Sequence, residues 1–293
     1  MKCTAGRYQV NCGICGIGQM KIIYATDFHG RKNCYEELLD RAVTARAEAI
    51  VNGGDLYPLG FDLFAVQREF LEDWLPGYLA RCCERGVAFL ATLGNMDLRA
   101  HDSLFREVMS QAGRAWSLVE QSAELAGLTF IGCAMTTDGP FSLKDRCLRD
   151  LPDSSALFGG GNALASDSDG IHHVENWQEH VNSQPCLREH LDTLPAPSDP
   201  EKTVYVLHQP PAGVGQGIIG SGADVGSRAV ADFLENSGAL LSLHGHIHES
   251  PFSGGQWRAK LGRTTCVQPG QLSGAECVSV LIDLPELEME LRS

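Results

Sequence analysis

Between residues 21 and 92 the chain repeats one unit: a short apolar, β-branched run, then a stretch with apolar residues at helical spacing. KIIYAT at 21–26, AIVNG at 49–53 and VAFLAT at 87–92 read as buried strands. CYEELLDRAVTARAE at 34–48 and residues 63–84 read as helices, the second interrupted or kinked at Pro76. Strand, crossover helix and strand in succession define an α/β organisation with a substantially parallel sheet, because the helix carries the chain back to the same end of the sheet.

The second half is less regular. WSLVE at 116–120 and LAGLTFIGC at 125–133 are expected to pair as strands. Residues 134–173 are rich in Gly, Ser and Asp, lack periodicity and read as long loops, and 174–192 as a helix. TVYVLHQP at 203–210 is a strand running into a loop, and 226–237 a helix capped by Ser227. GALLSLHG at 238–245 is a further strand, with short strands near 256–259, 263–267 and 276–282. No internal repeat is evident. The expected organisation is one domain over 20–293, with a loop-rich insertion at about 134–200, preceded by an N-terminal extension at 1–19.

Each clean strand ends in polar residues: Asp27-Phe28-His29-Gly30, Gly53-Gly54-Asp55, Gly94-Asn95-Met96-Asp97, His208, and His244-Gly245-His246-Ile247-His248. A single Asp after a strand is ordinary turn chemistry. Five such ends carrying Asp, His and Asn are hard to explain by turns, and functional groups of open α/β sheets collect beyond the carboxyl ends of strands. Asp-x-His and His-x-His spacing lets alternate side chains of an extended segment converge on one ion, and a carboxylate can bridge two. Mixed nitrogen and oxygen donors fit Mn, Fe, Zn, Co or Ni, and disfavour a pure Ca or Mg site. The chemistry therefore points to a pair of divalent or trivalent metal ions.

Composition narrows the partners. The formal charge of −14 argues against long nucleic acid and anionic membrane surfaces. A phosphate-bearing small molecule stays compatible, because bound metal inverts the local field. No apolar run is long enough to span a bilayer and no secretory signal is recognisable, so a cytoplasmic location is expected. Eleven cysteines are scattered along a chain too long to need a disulfide scaffold. Cys3, Cys12 and Cys15 could hold a zinc or act in redox chemistry, but three ligands fall one short of a structural zinc site.

The ordered series Asp27-x-His29, Gly54-Asp55, Gly94-Asn95-x-Asp97, His208 and Gly245-His246-x-His248 resembles the calcineurin-like metallophosphoesterase superfamily, whose five motif blocks it matches across residues 27–248. The stretch from His208 to Pro251 also resembles a small prokaryotic branch of that superfamily. The resemblance implies an α/β (α+β) fold, a four-layer αββα sandwich of two mixed sheets flanked by helices. It implies one metal on Asp27, His29, Asp55 and His248, and a second on Asp55, Asn95, His208 and His246, with Asp55 bridging ions about 3.5–4 Å apart. The implied reaction is hydrolysis of a small phosphate mono- or diester by a hydroxide held between the ions, with a nucleotide as an open substrate class. The expected catalytic set is Asp55, Asn95, Asp97, His208 and Arg99.

One position departs from the common pattern: Met96 stands where many relatives carry a histidine credited with steadying the transition state. Arg31, Arg99, His172 and His173 are the possible replacements. Asp97 is expected to orient a neighbouring ligand, or else to cap a helix beginning near 101. Two other readings of the same residues are a nuclease or cyclic-nucleotide phosphodiesterase, and a catalytically weak metal-binding or scaffold protein. The Gly159-Gly160-Gly161 run reads as a segment that could cover the cleft, and the oligomeric state is left open.

Overall fold

Alternation within the first strand, β1 (Met20–Ala25), explains the layering. Met20, Ile22 and Tyr24 enter one apolar core, while Ile23 and Ala25 enter another on the opposite face. A strand buried on both faces must lie in a sheet covered on both sides.

The computed structural model describes residues 19–155, 162–272, 274 and 276–293. The readings placed on Cys3, Cys12, Cys15 and Gly159–Gly161 lie outside the described residues. After β1 come α1 (Lys32–Ala45), β2 (Ala49–Asn52), α2 (Leu63–Glu69), α3 (Leu75–Glu84), β3 (Ala88–Ala91), α4 (Asp102–Gln111) and β4 (Ala115–Ser117). Then follow β5 (Ser122–Leu125), β6 (Leu128–Cys133), β7 (Thr136–Thr137), β8 (Cys147–Leu148), β9 (Leu164–Asp167), β10 (Gly170–His173), α5 (Trp177–Ser183) and α6 (Leu187–Leu191). The chain continues with β11 (Thr203–Leu207), α7 (Arg228–Ser237), β12 (Leu241–Leu243), β13 (Arg258–Leu261), β14 (Thr264–Val267), β15 (Ser279–Leu284) and β16 (Glu288–Arg292).

Two six-stranded sheets result, ordered β16-β15-β1-β2-β3-β4 and β13-β14-β12-β11-β6-β5. Strands β1 to β4 are mutually parallel, as are β6, β11, β12 and β14; antiparallel strands β16, β13 and β5 form three of the four edges. Between the sheets, Tyr24, Val51 and Leu90 share a core with Phe130, Val206 and Leu243. Outside the first sheet, Ile23, Ile50 and Phe89 share a core with Leu38, Tyr78 and Phe105 of α1, α3 and α4. Outside the second, Ile131 and Tyr205 share one with Leu187, Val230 and Leu234 of α6 and α7. This is the four-layer mixed sandwich. Each fully buried large apolar side chain contributes about 1.5–3 kcal/mol.

Several local expectations are corrected. Residues 115–117 and 128–133 do not pair; β4 joins the first sheet beside β3, and β6 joins the second beside β11. On its other side β6 pairs with the short hairpin strand β5. The 63–84 helix is interrupted by a π turn over Phe70–Trp74, with Leu75 N–H donating to Phe70 O. That wider turn absorbs Pro76, which lacks an N–H and crowds the preceding carbonyls. The single helix expected at 174–192 is two helices, separated at Pro185. The 134–173 stretch is not all loop: it holds the small sheets β7–β8 and β9–β10. Strand β16 escaped notice because its alternating Glu, Met, Glu, Leu, Arg pattern has no apolar run. Ser227 caps α7 as expected, accepting from Val230 N–H.

Among the described residues one disulfide is present despite the expectation that the chain needs none: Cys34 of α1 is bonded to Cys277, just before β15. It closes a 243-residue separation and fastens a helix of the outer layer to the chain's last segment. A crosslink over so long a loop restricts the unfolded chain, so Cys34→Ser and Cys277→Ser should each lower stability by about 2–4 kcal/mol. Urea unfolding of parent and variants, with and without a dithiol reductant, checks this; reductant should erase the difference between them.

Candidate metal centre

The parallel strands of both sheets end at one edge of the sandwich, and their tips are stitched together. Asp27 N–H donates to Gly54 O (3.0 Å), His29 N–H to Asp55 O (2.8 Å) and Gly30 N–H to Leu56 O (2.8 Å). These bonds extend the β1–β2 pairing into the loops. Gly245 N–H donates to His208 O (3.1 Å) and joins the tips of β11 and β12. The His246 N–H then crosses to the first sheet, donating to Asp27 Oδ1 (3.0 Å).

Those bonds hold an unfavourable backbone. Asp27, His29, Asp55 and His246 have φ of +59°, +46°, +51° and +70°. Left-handed backbone at a non-glycine residue costs about 1–2 kcal/mol, and such strain persists where surrounding structure over-determines it. Its concentration on four residues singled out for their donor chemistry marks the edge as a functional site.

All seven residues expected as ligands come together. His29 Nε2 lies 3.6 Å from Asp55 Oδ2 and 3.2 Å from His248 Nε2, and His248 Nε2 lies 3.4 Å from Asp27 Oδ1. The donor atoms of Asp27, His29, Asp55 and His248 fall within 4.8 Å of one another and could hold a metal ion. On the other side of Asp55, its Oδ2 lies 3.6 Å from His208 Nε2. Asn95 Oδ1 sits 3.2 Å from His208 Nε2 and 2.7 Å from His246 Nδ1. Two donor sets thus meet at Asp55. Gly94 permits this approach: a Cβ there would run into Asp55 Oδ1 and His208 Nε2.

The donor set fits transition-metal ions on observations of the protein itself. Among the described residues Asp27 Oδ2 is buried without a hydrogen-bond partner, as is His29 Nδ1. His29 and His248 face each other through Nε2 atoms, an arrangement in which one ring must donate or a cation must lie between two lone pairs. Imidazole, carboxylate and amide donors together suit Mn, Fe, Co, Ni or Zn.

The electrostatics favour ligand-ready forms at some positions and not at others. Burial pushes the Asp55 and Asp27 carboxyls up, but the neighbouring histidines overcome it, and both end below the usual carboxylate range. Burial and the His208 charge push His246 down to about 3, so its ring is neutral. Burial likewise lowers His29. At His208 burial is outweighed by Asp55 and then Asp27, and the ring is raised to about 9. His248 is raised too, burial yielding to Asp27.

Around this centre lies a buried frame. Asp97 is not a helix cap: its carboxylate accepts from Leu56 N–H (3.0 Å), Tyr57 N–H (2.8 Å) and Gly94 N–H (2.9 Å). It thereby clamps the loop after β2 to the loop after β3. Burial and the Asp55 charge push it up to about 7. Met96 donates its N–H to Asp55 Oδ1 (2.8 Å) and accepts from Gln67 Nε2 (2.8 Å) at its carbonyl. Arg146 is 2% exposed, donates to Asp97 O (3.1 Å) and pairs with Asp102. Gln67 and Arg146 were missed, because a polar residue inside a helix or loop carries no local sign of burial. His244 is separate from the donor sets. Its Nδ1 lies 3.1 Å from both Leu207 O and Gln209 O, where it braces the loop after β11.

The replacements considered for the missing histidine fall differently. Arg31 follows His29 closely, donates Nε–H to Phe28 O (3.3 Å) and lies within the field of Asp27. The Arg99 side chain is exposed, and among the described residues no hydrogen bond or ion pair joins it to the seven; its N–H donates to Asp145 (2.9 Å). His172 and His173 are exposed on β10, and His172 faces Asp167 at 3.5 Å. The 134–173 segment does reach the centre elsewhere. The Phe141 ring, 40% exposed, stands 5.7 Å from the His246 ring.

Residues 20–250 match the family model described as calcineurin-like phosphoesterase, and the chain belongs to that family. Among solved structures it is similar to TT1561 of Thermus thermophilus, at 18% identity and a TM-score of 0.56, covering 94% of this chain and 98% of that one. A second crystal structure aligns at 16% identity and a TM-score of 0.59, covering 94% of this chain and 99% of that one. At these identities the likeness concerns the fold. No curated protein matches the chain in sequence. Among the described residues no helix is long and apolar enough to cross a membrane.

The raised His208 pKa has a signed consequence. In metal-free protein its charged form contributes stability that is complete below the unfolded value near 6.5 and is lost as pH rises through about 9. A cation needs the lone pair of that ring, so binding near neutrality displaces a proton. Manganese affinity should therefore climb between about pH 6.5 and 9, with proton release near pH 7. Calorimetric titration in buffers of different ionisation enthalpy reads that proton; an affinity independent of pH would contradict the assignment.

Proposed function

We propose that this chain hydrolyses small phosphate esters with a pair of transition-metal ions, one held by Asp27, His29, Asp55 and His248, the other by Asp55, Asn95, His208 and His246. The observation that carries this reading is the meeting of both donor sets at Asp55, at the shared edge of two sheets. Such ions, when bound, supply Lewis acidity toward a phosphoryl oxygen and lower the pKa of water.

The chain's own residues prepare that chemistry. Asp27 and Asp55 contribute two negative charges, which two divalent ions more than balance. The centre is then locally positive and attracts an anion despite the chain's charge of −14. Neutral His29 and His246 offer lone pairs without prior proton loss. Met96 holds Asp55 Oδ1 through its N–H, leaving Oδ2 toward His29 and His208. Asp97 fixes the loops that carry Asp55 and Asn95, and acts through them rather than on substrate. Arg31, close to His29 in the chain and in the field of Asp27, is the cation best placed to steady charge developing on the phosphoryl group, ahead of Arg99.

Hydrolysis of a panel of phosphate mono- and diesters with Mn, Fe, Co, Ni or Zn added should show metal-dependent turnover, and Asp55→Asn should lower kcat by at least about a hundredfold. A variant as active as the parent with every ester and metal would sink the role given to Asp55. Absence of turnover with every ester and every metal would favour instead a protein that binds metal without catalysis.

Phe141 narrows the substrate. A half-exposed aromatic ring beside His246 offers a flat apolar surface to an aromatic group on the ester. Stacking of this kind contributes about 1–3 kcal/mol. Phe141→Ala should raise KM for aryl or nucleoside esters by about tenfold and leave short alkyl esters nearly unchanged. Equal effects on both classes would remove Phe141 from substrate recognition.

A further inference from the structure

A second group of metal-type donors lies apart from Asp55 and plays no part in the reaction proposed above. Glu120 follows β4, Cys133 ends β6 and His190 sits on α6, so three separate elements deliver one side chain each. Their ligand atoms lie within 4.8 Å of one another. Donors around a tetrahedral zinc stand about 3.2–3.8 Å apart, so the three need close only slightly to share an ion.

Three further observations converge on the group. Glu120 has a φ of +52°, a strained backbone at a residue that is not glycine. Its Oε1 already collects Ala134 N–H at 3.0 Å and His190 Nε2 at 3.3 Å, which aims the carboxylate and the ring toward Cys133. A cavity of about 410 Å³ opens on Glu120 and His190; Arg99, Arg106, Lys144 and Arg146 also line it, with Asp102 and Asp145 as counter-charges. Three protein donors with one side open to a cavity is the pattern of a zinc site that keeps an exchangeable position. The charges close as well: a divalent ion, one carboxylate, one thiolate and a neutral imidazole sum to zero, a state that suits a largely buried site.

We propose that Glu120, Cys133 and His190 form a second, thiolate-containing cation site that takes one zinc-class ion, with its fourth position facing the cavity. Binding forms Zn–O, Zn–N and Zn–S bonds and releases one proton to water, the one carried by the Cys133 thiol. Without the ion, burial and then the Glu120 charge keep that thiol protonated. The buried guanidinium of Arg146 favours the anionic forms of Glu120 and Cys133. The site is also one strand from the proposed catalytic centre. Cys133 pairs with Leu207 across the sheet, and its carbonyl accepts His208 N–H at 3.0 Å.

Cobalt(II) separates the two sites by spectroscopy, because the donors around Asp55 include no sulfur. Added to the full, metal-free chain with Cys3, Cys12 and Cys15 replaced by serine, cobalt should produce a thiolate-to-metal charge-transfer band, and Asp55→Asn in that background should retain it. Cys133→Ser should abolish the band. His190→Ala, which alters a partly exposed side chain, should keep the parent's circular dichroism and weaken the band-forming cobalt affinity by at least about tenfold. A parent without the band overturns the proposal, as does a band that survives in Cys133→Ser. Should Cys133→Ser not fold, His190→Ala decides alone, and an unchanged affinity there overturns the site.

Discussion

Two carboxylates, Asp27 and Asp55, are buried together where the sheets meet, at 1% and 2% exposure. Burying one unpaired carboxylate is costly, and burying two in contact with the same histidines is more so. Much of this edge answers that cost. His208 is drawn into its charged form by the pair, and His248 is raised by Asp27. Backbone N–H groups of His246 and Met96 donate to the two carboxylates. Among the described residues Asp27 Oδ2 nonetheless finds no partner. Two buried carboxylates among histidines, with one carboxylate oxygen left without a partner, suit a cation.

The fold makes such a site available through strand direction. Strands β1, β2 and β3 run parallel in one sheet, and β6, β11 and β12 in the other, so their carboxyl ends collect at one edge. Loops leaving six strand ends can then share hydrogen bonds, as Asp27 does with Gly54 and Gly245 with His208. Backbone strain at Asp27, His29, Asp55 and His246 is tolerated because those shared bonds leave the loops few alternatives. Asp97 and Arg146 extend the same logic outward, the first tying two loops of the first sheet together, the second tying Asp97 to Asp102.

Elements with a strong periodic signal were legible before the structure. Strands β1, β2, β3, β11 and β12 and helices α1 and α7 fall close to where apolar spacing puts them, because their burial pattern is written into consecutive residues. The weakly patterned parts were misread for the same reason. β4 and β6 look like adjacent hairpin strands but belong to different sheets, since nothing local encodes which sheet a short apolar run will join. The small sheets of residues 136–173 are held by a buried Lys144–Asp138 pair and Trp177, long-range partners that no local pattern reveals.

The residues expected as donors were readable in sequence, because metal chemistry restricts which side chains serve and strand ends are where such a fold exposes them. The chain alone therefore pointed to the fold class and to the seven candidate residues. Only the tertiary structure decided how they meet: that Asp55 stands between two donor sets, that His244 braces a loop instead of joining them, and that Cys34 finds Cys277. It also decided that Arg31 lies in the field of Asp27, that the Arg99 N–H bonds to Asp145, and that the Phe141 ring stands 5.7 Å from the His246 ring. The physical reason is distance along the chain. Chemistry belongs to single residues, whereas proximity between residues 27 and 246, or 34 and 277, exists only once two sheets have packed.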